Sequence, residues 1–207
     1  MIFLIRHGET LGNASRTVQL PDNPLSARGI AQAERLARRL EREGVGAILS
    51  SDLARAAETA LHLARVTGLP VERDAVLQER NFGDLRGTPY ADLGVDMFAP
   101  GYAPPNGETW ELFHERVDRA WALICARAAA AEGHLAVVTH GLVCRSLAGR
   151  HLVLPEGQLV PERWENTAVT IVERLAAREG RWGVSLLNCI AHLDDLAAQP
   201  LADAGAA

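Results

Sequence analysis

The 207 residues are 48% apolar and 23% charged, the balance of one soluble globular domain that can bury a core without disulfides or metals. A net charge of −5 excludes the broad cationic surface that nonspecific nucleic-acid binding requires, but not a small anion held by a local arginine cluster. Cys125, Cys144 and Cys189 form neither a disulfide framework nor a Cys-x-x-Cys metal site, and no apolar run approaches a signal peptide or a membrane span. The expected setting is a reducing cytoplasm, with Cys125 and Cys144 as small buried hydrophobes.

Met1 to Ile5 is a continuous apolar run stopped by charge and glycine, as in a strand buried on both faces. Residues 8–25, rich in Asn, Pro, Asp and Ser, read as a loop. Ser26 is the expected N-cap of a helix that buries Ile30, Ala33, Ala37 and Leu40 and ends at Gly44. The arginines of that helix alternate with glutamates, as on a solvated face. A second unit follows: strand 47–49, turn Ser50-Ser51, and Asp52 capping a helix with Leu53, Ala57, Ala60, Leu61 and Ala64 on one face. Gly68-Leu69-Pro70 closes it, and Val71 begins a short extended segment.

Residues 79–107 are rich in Gly and Pro and carry little periodicity, so they read as a cap-like excursion with one helical turn near Tyr90–Leu93. Loops of this length in a compact domain tend to be functional. A long amphipathic helix is predicted from Glu108 to Ala131, with Phe113, Val117, Trp121, Ile124 and Ala128 inward. Strand 135–138 and helix Gly141–Gly149 come next. Ala168–Val172 and Val184–Leu187 flank a turn at Arg178–Gly183, an antiparallel pair. Residues 195–207 read as a frayed tail. The alternation implies one domain over 1–207, a three-layer α/β/α sandwich with a mainly parallel central sheet.

Three strand-to-helix junctions place polar, reactive residues directly after an apolar strand: Arg6-His7-Gly8, Ser50-Ser51-Asp52 and Thr139-His140-Gly141. In an open parallel sheet such junctions lie at the carboxyl ends of strands, where α/β proteins bind ligands. Two histidines far apart in sequence would then meet. The glycines after them would let backbone approach a ligand closely. His62, His114, His134, His151 and His192 have no such context and read as surface or structural residues.

Leu4-Ile5-Arg6-His7-Gly8-Glu9-Thr10 resembles the signature of the histidine phosphatase superfamily, which includes the cofactor-dependent phosphoglycerate mutases. The resemblance continues through Asn13, Leu25-Ser26-x-x-Gly29, Ser50-Ser51-Asp52-Leu53-x-Arg55-Ala56 with Thr59, Glu79 with Phe82-Gly83, Gly107-Glu108 and Val138-Thr139-His140-Gly141. It implies a phosphoglycerate mutase-like fold and His7 as covalent nucleophile, its other ring nitrogen held by a nearby backbone carbonyl. It further implies that Arg6, Arg55 and His140 clamp the phosphoryl oxygens and that Glu79 is acid and then base. No metal or cofactor is implied. Asn13, Arg80, Gly141 and Asn166 are the expected substrate or supporting contacts, with Arg80 suited to a substrate carboxylate.

The resemblance leaves open what receives the phosphoryl group. A chain shorter than typical mutases, with less cover over the site, admits water and favours a phosphatase. Glu79-Arg80-Asn81-Phe82-Gly83 resembles the mutase form instead, and the Gly-x-Trp-Glu-Gly pattern frequent in the phosphatases stands here as Gly83-Asp84-Leu85-Arg86-Gly87. The readings in order are a phosphatase acting on a small phosphomonoester, a cofactor-dependent phosphoglycerate mutase, and a noncatalytic phosphate-binding module. The expected partner is a small phosphorylated metabolite, with no nucleic acid and no membrane; a homodimer is one option for assembly.

Overall fold

The computed structural model describes residues 1–175 and 180–197. In chain order the elements are β1 (Ile2–Arg6), α1 (Leu11–Ala14), α2 (Ala27–Leu40), β2 (Val45–Ser50), α3 (Ala54–Thr67) and β3 (Val71–Arg73). After an irregular stretch come α4 (Trp110–Ala130), β4 (His134–Thr139), α5 (Gly141–His151), β5 (Leu152–Val153), β6 (Val169–Arg174), β7 (Trp182–Cys189) and α6 (Asp194–Ala197).

The strands form one seven-stranded sheet in the order β3-β2-β4-β1-β6-β7-β5. All pairings are parallel except the two made by β6, with β1 and with β7. Period-two alternation explains why the central strands are apolar throughout. Ile2 and Leu4 of β1, with Leu135 and Val137 of β4, face one core built with Phe113, Val117 and Ile124 of α4 and Val143 and Leu147 of α5. Phe3 and Ile5, with Ala136 and Val138, face a second core built with Leu36, Ala37 and Leu40 of α2 and Ala56, Ala60 and Leu63 of α3. Helices on both faces make the three-layer sandwich.

Ser26 caps α2, its hydroxyl accepting from Gly29 N–H. Several local expectations change. Residues 8–25 are not all loop: Thr10 and Asn13 form a capping box around the single turn of α1. Ile30 and Leu61 are 37% and 39% exposed, while Ala33, Ala37, Ala57 and Ala60 of the same helices are buried. Asp52 does not cap α3. The N-cap is Leu53, without a side-chain bond, and the Asp52 carboxylate accepts instead from the Gln78 amide.

Helix α4 starts at Trp110 with Thr109 as cap, so Glu108 lies outside it. Cys144 is buried, but Cys125 is only partly so. Strand β7 already begins at Trp182, and Leu175 N–H donates to Arg181 O, which shortens the predicted 178–183 turn. Its residues 178 and 179 lie outside the described residues, as do 198–207 of the predicted tail. The start of that tail is helical in α6, with Leu196 buried. Among the described residues no helix is long and apolar enough to cross a membrane.

Close backbone packing explains two glycines that the sequence suggested were kept open for a ligand or left unexplained. A Cβ on Gly8 would stand 2.7 Å from Gly29 O, and one on Gly29 would overlap Glu9 O and N. Gly8 therefore serves packing of the β1–α1 segment onto the start of α2. Gly29→Ala is expected to cost about 1–3 kcal/mol in chemical denaturation, because a backbone oxygen cannot yield as a flexible side chain would. An unchanged midpoint would show that the segment shifts freely.

Candidate active site

Strand β4 lies between β1 and β2, so the three junctions noted in the sequence end side by side. Arg6 pairs with Thr139, His7 N–H donates to Thr139 O (2.9 Å), and Ser51 N–H donates to Val138 O (2.9 Å). The His7 and His140 ring centroids are 5.1 Å apart. Parallel pairing, which needs long crossovers, is what joins residues separated by more than a hundred positions.

The state of His7 follows from its partners. Nδ1 is 2.7 Å from Gly8 O, and a carbonyl can only accept, so Nδ1 carries the proton and Nε2 keeps its lone pair. Arg55 Nε–H donates to that Nε2 at 3.3 Å. Burial, reinforced by Arg55 and Arg6, lowers the pKa of His7 well below the usual histidine value, so the ring stays neutral. The backbone around it is pinned as well. Gly8 N–H donates to Thr59 Oγ1 (3.0 Å), which in turn donates to Arg55 O (2.7 Å). Asn166 Nδ2 donates to His7 O (3.0 Å) and Asn13 Oδ1 (3.3 Å), and Thr167 N–H donates to Arg6 O and His7 O. Thr167 holds φ at 55°, a left-handed conformation costly for a β-branched residue and tolerated where the surroundings enforce it.

His140 is fully buried. Its Nε2 is 2.9 Å from Ser51 Oγ, which already accepts from Leu53 N–H. When Ser51 donates its hydroxyl proton to Nε2, the His140 proton is on Nδ1. Among the described residues Nδ1 is buried without a hydrogen-bond partner, as is Arg6 Nε. Arg6 is oriented by a bond from Nη1 to Trp164 O, beside Gly141 at the start of α5. Arg55 is buried in the first turn of α3, and burial lowers its pKa to about 10; it remains a cation at neutral pH. A cation there opposes the helix dipole, which an anion between it and Arg6 would offset.

Glu79 accepts from Arg80 N–H (3.0 Å) and Leu142 N–H (3.2 Å). Burial nevertheless raises its carboxyl pKa, overcoming those bonds and the attraction of Arg55 and Arg6. Arg116, on α4, fixes the segment that carries it. Its guanidinium donates to Val76 O, Gln78 O and Glu79 O, and pairs with Glu108 at 2.7 Å; Glu108 also accepts from Asn81 N–H.

Arg80 has a different occupation from the one expected. It is buried, donates to Glu108 O, Met97 O and Tyr102 O, and lies 3.9 Å over the Trp110 ring. Three of its N–H groups go to carbonyls that tie the excursion down, while the residue still borders the inner pocket beside Glu79. The sequence missed Arg116 because its helix has the pattern of an ordinary amphipathic one, and missed Thr167 because nothing local marks a left-handed threonine.

An inner pocket of about 60 Å³ is bordered by His7, Arg6, Arg55 and Glu79, together with Gln19, Arg80 and Arg86. It adjoins an outer cleft of about 780 Å³ that shares Arg6, Glu79 and Phe82 and extends past Asn13, Tyr90, Leu142 and Trp164. His7 and Arg55 border the inner pocket and not the cleft. Among the described residues, no three His, Cys, Asp or Glu side chains gather as a metal ion would need. The arrangement is a neutral nucleophilic imidazole among guanidinium groups, with a carboxyl that is readily protonated between it and an open cleft.

The chain matches the family model of the histidine phosphatase superfamily (branch 1) over residues 2–190. The probable phosphoglycerate mutase GpmB of Yersinia enterocolitica is 32% identical over 205 residues, covering 93% of this chain and 94% of that protein. Among solved structures, a mycobacterial glucosyl-3-phosphoglycerate phosphatase in complex with VO3 is 27% identical with a TM-score of 0.77, covering 91% of this chain and 98% of the other. A putative alpha-ribazole-5'-P phosphatase of Escherichia coli is 28% identical with a TM-score of 0.79, covering 91% and 96%.

Proposed function

The chain belongs to the histidine phosphatase superfamily, branch 1, and we propose that within it the chain is a phosphatase, hydrolysing a small-molecule phosphomonoester through a phosphohistidine on His7 without a metal ion. The observation that carries this reading is the Nδ1–H bond of His7 to Gly8 O, which leaves Nε2 as a neutral nucleophile facing guanidinium groups. Attack by Nε2 forms the N–P bond as the P–O bond to the leaving group breaks, and protonated Glu79 delivers its proton to the departing oxygen. Glu79, now a carboxylate, takes a proton from water; the water oxygen bonds to phosphorus, the N–P bond breaks, and phosphate leaves. Arg6, Arg55 and the unpartnered Nδ1–H of His140 supply donors to the phosphoryl oxygens, where positioning and charge make up most of the catalysis.

The outer cleft supports hydrolysis over transfer to a second substrate, since it gives water a path to Glu79. Relatives named probable phosphoglycerate mutases favour the second reading, but Arg80, the residue that supported it here, is occupied by carbonyls. Turnover of p-nitrophenyl phosphate in EDTA tests the enzyme reading, and none at acidic or neutral pH would reduce the chain to a phosphate-binding module. Incubation with 3-phosphoglycerate separates the other two: release of inorganic phosphate is expected, and isomerisation to the 2-phosphate would make the chain a mutase.

A further inference from the structure

We propose that Arg86 is a further catalytic residue, a third guanidinium that binds the transferred phosphoryl group and is supplied by the excursion rather than by a strand-to-helix junction. This rests on the phosphatase reading above. Arg86 borders the inner pocket together with His7, Arg6 and Arg55 and does not border the outer cleft. In-line transfer sends the leaving group away from His7 and past Glu79, which borders both spaces. A side chain confined to the inner pocket therefore meets the phosphoryl group, not the alcohol it departs from. A pocket of about 60 Å³ has room for that group and little else.

The backbone holds Arg86 in place while its side chain is left without an internal task. Arg86 N–H donates to Gly83 O (3.2 Å), Gly87 N–H to Val18 O (2.7 Å) and Val18 N–H to Thr88 O (3.0 Å), and Gly83 and Gly87 take positive φ on either side. Arg86 is half-buried, and among the described residues its guanidinium has no hydrogen bond or ion pair, whereas Arg80 donates to three carbonyls and Arg116 to three carbonyls and Glu108. Gln19 beside it receives the Thr10 hydroxyl on Oε1 (2.6 Å), so its amide N–H groups are also free to donate.

Charge makes the same point. Arg6, Arg55, Arg80 and Arg86 border a pocket whose single bordering carboxylate, among the described residues, is Glu79. Like charges brought together in a half-buried site repel, and a phosphoryl dianion between them turns that repulsion into attraction. Guanidinium forks suit its oxygens.

The test compares wild type with Arg86→Gln and Arg86→Lys on p-nitrophenyl phosphate, glycerol phosphate and 3-phosphoglycerate, with inhibition by inorganic phosphate measured in parallel. Arg86→Gln is expected to lower kcat/KM by about 100- to 1,000-fold on all three alike, the range for one lost transition-state donor, and to weaken phosphate inhibition. Arg86→Lys should recover part of the loss. The melting temperature should be unchanged, since the side chain has no internal partner. Unchanged kcat/KM, a loss confined to 3-phosphoglycerate, or a loss that follows a lower melting temperature would each overturn the proposal. Inactive wild type that still binds inorganic phosphate would refute the phosphatase reading instead, and weaker phosphate binding by Arg86→Gln would then still uphold the contact.

Discussion

His7→Ala is expected to lower kcat by roughly 10⁴-fold or more and to abolish the acid-labile phosphoenzyme, the scale of loss when a covalent nucleophile is removed. The magnitude follows from the pocket. Its other bordering side chains include no serine, threonine or cysteine that could take over attack on phosphorus. The substitution should leave the fold intact, because the backbone of residue 7 is held from outside by Thr139, Asn166 and Thr167. Rapid quenching with labelled substrate, followed by acid and alkaline treatment, reads the outcome. A stable phosphoenzyme in the variant would place the nucleophile elsewhere.

Glu79→Gln is expected to separate substrates by leaving group. Alkyl phosphates need protonation of a strongly basic oxygen and should lose about 10²- to 10⁴-fold, the usual contribution of a positioned acid. p-Nitrophenyl phosphate, whose leaving group departs as a stable anion, should lose much less. The pH dependence has a definite sign. Glu79 acts in its protonated form and its pKa is raised by burial, so kcat/KM for an alkyl phosphate should fall as pH rises through that elevated value. His7 acts unprotonated and its pKa is lowered, so its protonation should limit the rate only at more acidic pH. The acidic limb therefore belongs to His7 and the alkaline limb to Glu79, and Glu79→Gln should remove the alkaline limb. Equal losses on both classes of substrate, with the limb intact, would reduce Glu79 to a structural role.

The sandwich was legible because its evidence is local. Apolar runs, helical spacing around Ala33, Ala37 and Leu40, and the cap at Ser26 each reflect interactions within a few residues. The errors have a common origin. Ile30 and Leu61 fit the helical period, yet how far a flank is covered depends on the neighbouring element, which the period does not specify. Asp52 fits a cap, yet a carboxylate near an irregular segment takes the best partner in three dimensions, which is Gln78.

The site divides in the same way. The sequence by itself determined which groups could do the chemistry: Arg6, His7, Arg55, Glu79 and His140 carry their reactivity in their side chains, and their positions after apolar strands and in the shared motifs mark them. Only the tertiary structure decided what state those groups are in and which partners each arginine has. The neutral tautomer of His7 depends on Gly8 O, the raised pKa of Glu79 on burial, and the proton of His140 on Ser51. Arg80 and Arg86 lie six positions apart in one irregular segment and look alike in sequence. Both border the inner pocket, but Arg80 donates to three carbonyls, whereas among the described residues Arg86 has no side-chain partner. Propensity and spacing describe neighbours along the chain, whereas desolvation and hydrogen-bond partners depend on neighbours in space.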